Sequence, residues 1–81
     1  LARKWDWQIE GWQDKNREWH EGEPPGTVDG WFGVIVHVSD PDDPEDEQYK
    51  RIMHPVGWQD WTELYGDIWR SFAMNYGIEL A

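Results

Sequence analysis

The chain contains no cysteine, so disulfides, thiolate nucleophiles and Cys-based zinc sites are excluded and the redox compartment stays open. Basic residues are scarce: seven Lys and Arg stand against seventeen Asp and Glu, a formal charge of -10. A nucleic-acid backbone and an anionic membrane both select clustered Lys and Arg, so neither is expected as a direct partner. Long apolar runs are also missing. The longest, W31-F32-G33-V34-I35-V36-H37-V38, is far shorter than the roughly 20 residues a membrane-spanning helix needs. L1-A2-R3-K4 leads straight into W5-D6-W7 without an apolar targeting core, so no signal peptide is expected and no compartment is assigned.

Groups that carry chemistry are equally thin. Ser39 and Ser71 are the only serines, and neither sits in G-x-S-x-G. No glycine loop matches a phosphate cradle. Carboxylates are so abundant that some pair always lies within reach, and such a pair carries little information about glycoside chemistry. A catalytic role is not expected.

What the chain has in excess is tryptophan, eight in 81 residues. Each large ring supplies about 150–250 Å² of surface to bury, which helps a short, highly charged chain close one core. The length allows a single small domain over residues 1–81. Rings that do not fit inside remain available for contacts.

The C-terminal third carries the clearest pattern. Trp58, Trp61, Leu64, Tyr65, Ile68, Trp69, Phe72 and Tyr76 fall within about 140° of arc at helical spacing, with Asp60, Glu63, Asp67 and Arg70 opposite. The pattern predicts an amphipathic helix over 58–76. Gly77 is placed to cap it, and Ile78 to fold back as the accompanying apolar contact. Gly66 inside the helix points to a close approach or a bend. Residues 31–39 read as a central strand, because both faces are apolar and Val34, Ile35, Val36 and Val38 are branched at Cβ. The P24-P25-G26-T27-V28-D29-G30 stretch reads as a loop ending in an Asp-Gly turn. Residues 48–56 form a second strand, stopped near His54 by Pro55. Trp5, Trp7 and Ile9 alternate as in a strand over 4–10, followed by a short helix at 12–19. Trp5, Ile9, Trp12 and Trp19 would also line one face of a helix, and residues 13–18 suit a helix or an exposed turn, so strand and helix both stand for residues 1–20. The expected fold is α+β: a small antiparallel three-stranded sheet with one long C-terminal helix packed across it.

The acidic run D40-P41-D42-D43-P44-E45-D46-E47 holds six carboxylates and two prolines in eight residues. As a calcium loop it fails, since its alternate positions read Asp40, Asp42, Pro44 and the required glycine is missing. A solvated connection between two strands is the simplest reading, and an electrostatic docking element the functional one. The imidazoles are His20, His37 and His54. His37 and His54, if opposed on adjacent strands, could join a loop acid in an open zinc site. Their spacing does not require it, and no metal or cofactor is expected.

These features point to a non-catalytic accessory subunit or inhibitor that docks a basic protein surface through aromatic anchors with an acidic rim. The candidate contact residues are Trp7, Trp19 and Trp31, with Asp40, Asp42, Asp43, Glu45, Asp46 and Glu47. Two alternatives stand beside it. One is a phage-type nucleic-acid mimic whose helix acids and 40–47 run imitate phosphates. The other is a carbohydrate- or cation-binding module that uses exposed Trp faces.

Overall fold

The computed structural model describes residues 4–26 and 30–81. Four strands and one helix follow in the order β1 (Asp6–Gln13), β2 (Trp19–Glu21), β3 (Trp31–Asp40), β4 (Asp43–Trp58) and α1 (Trp61–Tyr76). The sheet order is β2-β1-β3-β4, with every neighbouring pair antiparallel. The α+β expectation holds, with four strands in place of three.

The extra strand comes from the segment expected to be a short helix over 12–19. β1 continues to Gln13, and the chain reverses over Asp14–Glu18 into β2. Asp14 organises the reversal: its Oδ1 accepts from the backbone N–H of Asn16 (2.8 Å) and of Glu18 (3.0 Å), and its own N–H donates to the Glu18 carbonyl. Arg17 sits at φ 69, the left-handed residue that completes a three-residue hairpin loop. Asp14 and Asn16 suit a turn, but with no glycine in K15-N16-R17 composition did not separate a turn from a short helix.

α1 also begins later than expected. Trp58 ends β4 and is buried, and Asp60 is the N-cap, accepting from the Glu63 N–H at 2.9 Å. The Glu63 carboxylate reaches back to the Gln59 N–H at 2.8 Å, so the D60-W61-T62-E63 stretch works as a capping box displaced by one residue. The C-terminus is as expected: Gly77 is left-handed at φ 65, the Ile78 N–H bonds the Phe72 carbonyl, and Ile78 is buried. Gly66, by contrast, makes no close approach, since nothing lies within 4 Å of where its Cβ would be.

One face of the sheet carries the core. Val34, Val36 and Val38 of β3 share it with their cross-strand neighbours Trp12, Ile9 and Ile52, beneath Leu64, Ile68 and Phe72 of α1. Only these three helix residues of the wide aromatic stripe are fully covered. Trp61 is half-buried, and Trp69 remains 38% exposed. Beside Trp5, the C-terminal residues add a short parallel bridge, with the Trp5 N–H donating to the Glu79 carbonyl and the Ala81 N–H to the Trp5 carbonyl.

β4 runs straight through Pro55, where the strand was expected to stop. The register jumps from Gly33↔Met53 to Trp31↔Trp58, so His54–Gly57 bulge out of the ladder and the proline costs no paired N–H. The expected Asp29-Gly30 turn before β3 lies partly outside the described residues, with Gly30 itself at φ 70.

Candidate interaction surface

The strand–acidic run–strand order forms the expected hairpin, but with a tight turn in place of a long connection, and the acidic run is its paired end. β3 and β4 stay paired up to Asp40↔Asp43, which flank a tight Pro41-Asp42 turn. The register slip between Ser39↔Glu47 and Asp40↔Asp43 bulges Pro44, Glu45 and Asp46 out of β4. Two of the acids build the turn: Asp40 Oδ1 accepts from the Asp42 N–H (2.9 Å) and Asp43 Oδ1 from the Glu45 N–H (3.3 Å). Glu47 reaches His37 Nε2 at 3.0 Å. Among the described residues the carboxylates of Glu45 and Asp46 meet no partner. The molecule measures 39 × 21 × 19 Å, whereas a helix of α1's 16 residues is about 24 Å long. The acidic hairpin is the arm that extends past the helix-covered core, and residues 41–49 are exposed throughout.

The arm continues a sheet face that α1 does not cover. Cross-strand neighbours share a face, so Gly33 and Met53, Ile35 and Arg51, His37 and Tyr49, Ser39 and Glu47 all lie on this bare side. Side chains partly roof it. Met53 lies over Gly33, where an added Cβ would stand 2.5 Å from its sulfur. The Arg51 guanidinium sits 4.6 Å from the ring centroid of Trp19. His37 stacks on Tyr49 at 4.5 Å and an interplanar angle of 23°, held between Glu47 and Glu10, the latter 3.6 Å from Nδ1. The Gln8 amide in turn donates to the Glu10 carboxylate. Tyr49 is nonetheless 61% exposed and Met53 47%. From Trp19 and Arg51 at one end to Glu47 at the other, the face spans about 20 Å.

The nine sequence candidates divide accordingly. Trp31 is 2% exposed and packs on Trp61 at 5.1 Å, so it is a core residue and not a surface anchor. The register shift opposite the β4 bulge turns it toward the helix. Trp7 is half-buried on the helix side, where its Nε1 donates to the Ala81 carbonyl (2.9 Å) and its ring meets Tyr65 edge-on at 5.5 Å. Burial, then the charge of Glu23, raises the Tyr65 pKa. Trp7 therefore lies on the opposite face from Trp19, and one flat surface cannot engage both. Trp19 and Glu47 do share the bare face, and the other five acids lie on the hairpin arm at its end. Sequence reasoning missed Tyr49 and Met53, although the alternation Glu47-Tyr49-Arg51-Met53 against Gln48-Lys50-Ile52 was there to be read.

Two further clusters frame what else the fold could hold. His37 and His54 do not oppose one another: His37 pairs with Tyr49, and His54 lies in the bulge beyond Met53, so the zinc arrangement considered for them does not form. Ligand atoms of Asp14, Glu18 and His20 lie within 4.8 Å of one another and could hold a cation. Asp14, however, already spends both oxygens on the turn amides and on His20 Nε2 at 2.6 Å, which makes it a hairpin brace. Between the β4 bulge and α1 lies an open cavity of about 550 Å³ lined by His54, Gly66, Asp67 and Arg70. Asp67, expected on the solvated helix face, accepts from Trp58 Nε1 (2.6 Å) and from Arg70 (2.9 Å) there.

No helix among the described residues is long and apolar enough to cross a membrane. No family model, curated protein or solved structure matches the chain.

Proposed function

We propose that the chain is a non-catalytic protein-binding module, an accessory subunit or inhibitor, that docks a basic protein surface through its acidic arm and bare sheet face. The observation that carries this reading is the continuity of the two. A six-acid hairpin end extends β3 and β4, the two strands whose bare face leaves Tyr49 and Met53 open to solvent. Exposed aromatic and Met side chains rimmed by charge are the usual makings of an interface centre, and charges grouped on a projecting arm accelerate encounter with a basic partner. Tyr49 and Met53 replace Trp31 in the contact set, with Trp19 at its far end.

The alternatives draw less support. Trp19 already has a guanidinium on its ring, which competes with a stacked sugar or ligand cation. The helix acids of the nucleic-acid mimic have internal work: Asp60 caps α1, Glu63 accepts from Gln59, and Asp67 holds Trp58 and Arg70.

The test is affinity capture from the source extract at mild salt, with native mass spectrometry of the eluate. Two variants run in parallel: Glu45→Gln/Asp46→Asn/Glu47→Gln, and Tyr49→Ala. A stoichiometric companion held by the native chain and lost from both variants is the expected result. A companion retained equally by all three, or a chain recovered alone, overturns the reading.

A further inference from the structure

We propose that the outer edge of β4, between Glu47 and Met53, accepts an extended Lys- or Arg-rich segment of the partner as a fifth strand. This rests on the docking reading above and specifies how the partner is held.

β4 has one neighbour, β3, and ends the sheet. Which of its backbone groups point outward follows from the hairpin at the far side. The Asp14 N–H bonds Glu18, so Asp14 and Trp12 turn toward β2, and Gly11 and Gln13 toward β3. Their partners Ile35 and Gly33 face back to β1, which leaves Val34 and Val36 facing β4, opposite Ile52 and Lys50. The N–H and C=O groups of Tyr49, Arg51 and Met53 therefore point away from the sheet, in one regular row. The slot is finite. The bulges at Pro44–Asp46 and His54–Gly57 close its two ends.

Charge selects the occupant. Prolines, bulges and acids on an edge discourage indiscriminate pairing, and here the acids cluster at one end of an otherwise open row. The cations of the slot are turned elsewhere: Arg51 lies on Trp19, and Lys50 donates to the Tyr76 hydroxyl at 3.3 Å. A strand laid along this edge meets the unpaired carboxylates of Glu45 and Asp46 at its acidic end, beside Glu47 on His37, and these suit Lys or Arg and repel Asp or Glu. A second copy of this chain is disfavoured as occupant, because each copy brings a formal charge of -10.

The experiment uses the full chain with a synthetic peptide of about eight residues alternating Lys and Thr. It is compared with a Glu–Thr counterpart and with a Lys–Thr peptide N-methylated on one alternating set of amides, and then on the other. Affinity is measured by calorimetry, and amide hydrogen exchange is followed residue by residue. The expected result is binding of Lys–Thr alone, slowed exchange at Tyr49, Arg51 and Met53, and a loss of at least about tenfold on methylating the bonded set. Equal binding of the Lys–Thr peptide and both methylated forms, without protection at those amides, overturns strand addition but leaves acidic docking standing. Binding of the Glu–Thr peptide to the same extent overturns the charge selection. No binding by any peptide also overturns strand addition, and the companion-capture variants then judge the docking reading alone. Protection that appears without peptide and grows with protein concentration and salt would show a second copy in the slot, which overturns the proposed occupant.

Discussion

The guanidinium of Arg51 lies 4.6 Å from the ring centroid of Trp19, joining the two edge strands β4 and β2 across the bare face of the sheet. Gly11 and Gly33, both buried, lie in the strands between and keep the floor low enough for long side chains to lie flat. A cation on a half-exposed indole is worth about 0.5–1 kcal/mol. Trp19→Ala, Arg51→Ala and the double variant should therefore show a coupling of about that size in urea denaturation. Zero coupling would mean that the contact is incidental.

Trp7, Trp19 and Trp31 should separate by stability. Trp31 is sealed in the core, and its replacement by Ala should cost about 3–5 kcal/mol, a large share of what so short a chain has. Trp7 packs against the core from its margin and donates to Ala81, so about 2 kcal/mol is expected. Trp19→Ala should cost about 1 kcal/mol. Equilibrium denaturation of the three variants gives the ranking, and a Trp19 loss as large as that of Trp31 would undercut its use as a contact residue.

How much of this was legible depends on whether the signal was periodic or local. The helix and the central strand announce themselves, because Leu64, Ile68 and Phe72 repeat at helical spacing and Val34, Val36 and Val38 at strand spacing. The boundaries were misread where a local geometry overrode the period. Trp58 fits the helical stripe, yet Gly57 at φ 78 and the Asp60 cap place it in β4. β2 was hidden because Asp14 and a left-handed Arg17 make a turn that residue type alone rarely signals. The acidic run was read as a connection because charge and proline suggest a loop; its pairing up to Asp40↔Asp43 depends on partners in β3 that composition does not reveal. Trp31 was misplaced for a similar reason, since simple alternation from Val34 puts it on the face away from the helix.

Asp14 makes the acid limb of stability depend on His20. The hydrogen bond from His20 is the main cause holding its carboxyl below the usual carboxylate range, aided by the turn amides of Glu18 and Asn16 and opposed by desolvation. A carboxyl with a depressed folded-state pKa stabilises the fold above its unfolded value of about 3.9, and that contribution disappears as pH falls through the folded value. Asp14→Asn should therefore be less stable than the native chain at neutral pH, with the difference closing as pH falls through the depressed folded-state value. In His20→Ala the Asp14 titration, followed by carboxyl carbon NMR, should move up toward the ordinary range. An unmoved titration would assign the depression to the turn amides instead.

Gly66 is exposed in the second turn of α1, where a side chain meets no atom within 4 Å. A glycine that permits no close approach and adopts no left-handed angle only weakens its helix, by about 0.8–1 kcal/mol relative to alanine. Gly66→Ala should accordingly raise stability by about that amount in denaturant titration, and its helix content should not fall. The same substitution narrows the mouth of the cavity that Gly66 shares with His54, Asp67 and Arg70, so it separates two uses of the site. If the chain acts through its bare face and acidic arm, the more stable variant keeps its companion at native affinity, because the added methyl lies on the helix side of the sheet. If companion binding drops while stability rises, the cavity beside α1 is the contact region, and the acidic arm is left with the smaller task of steering.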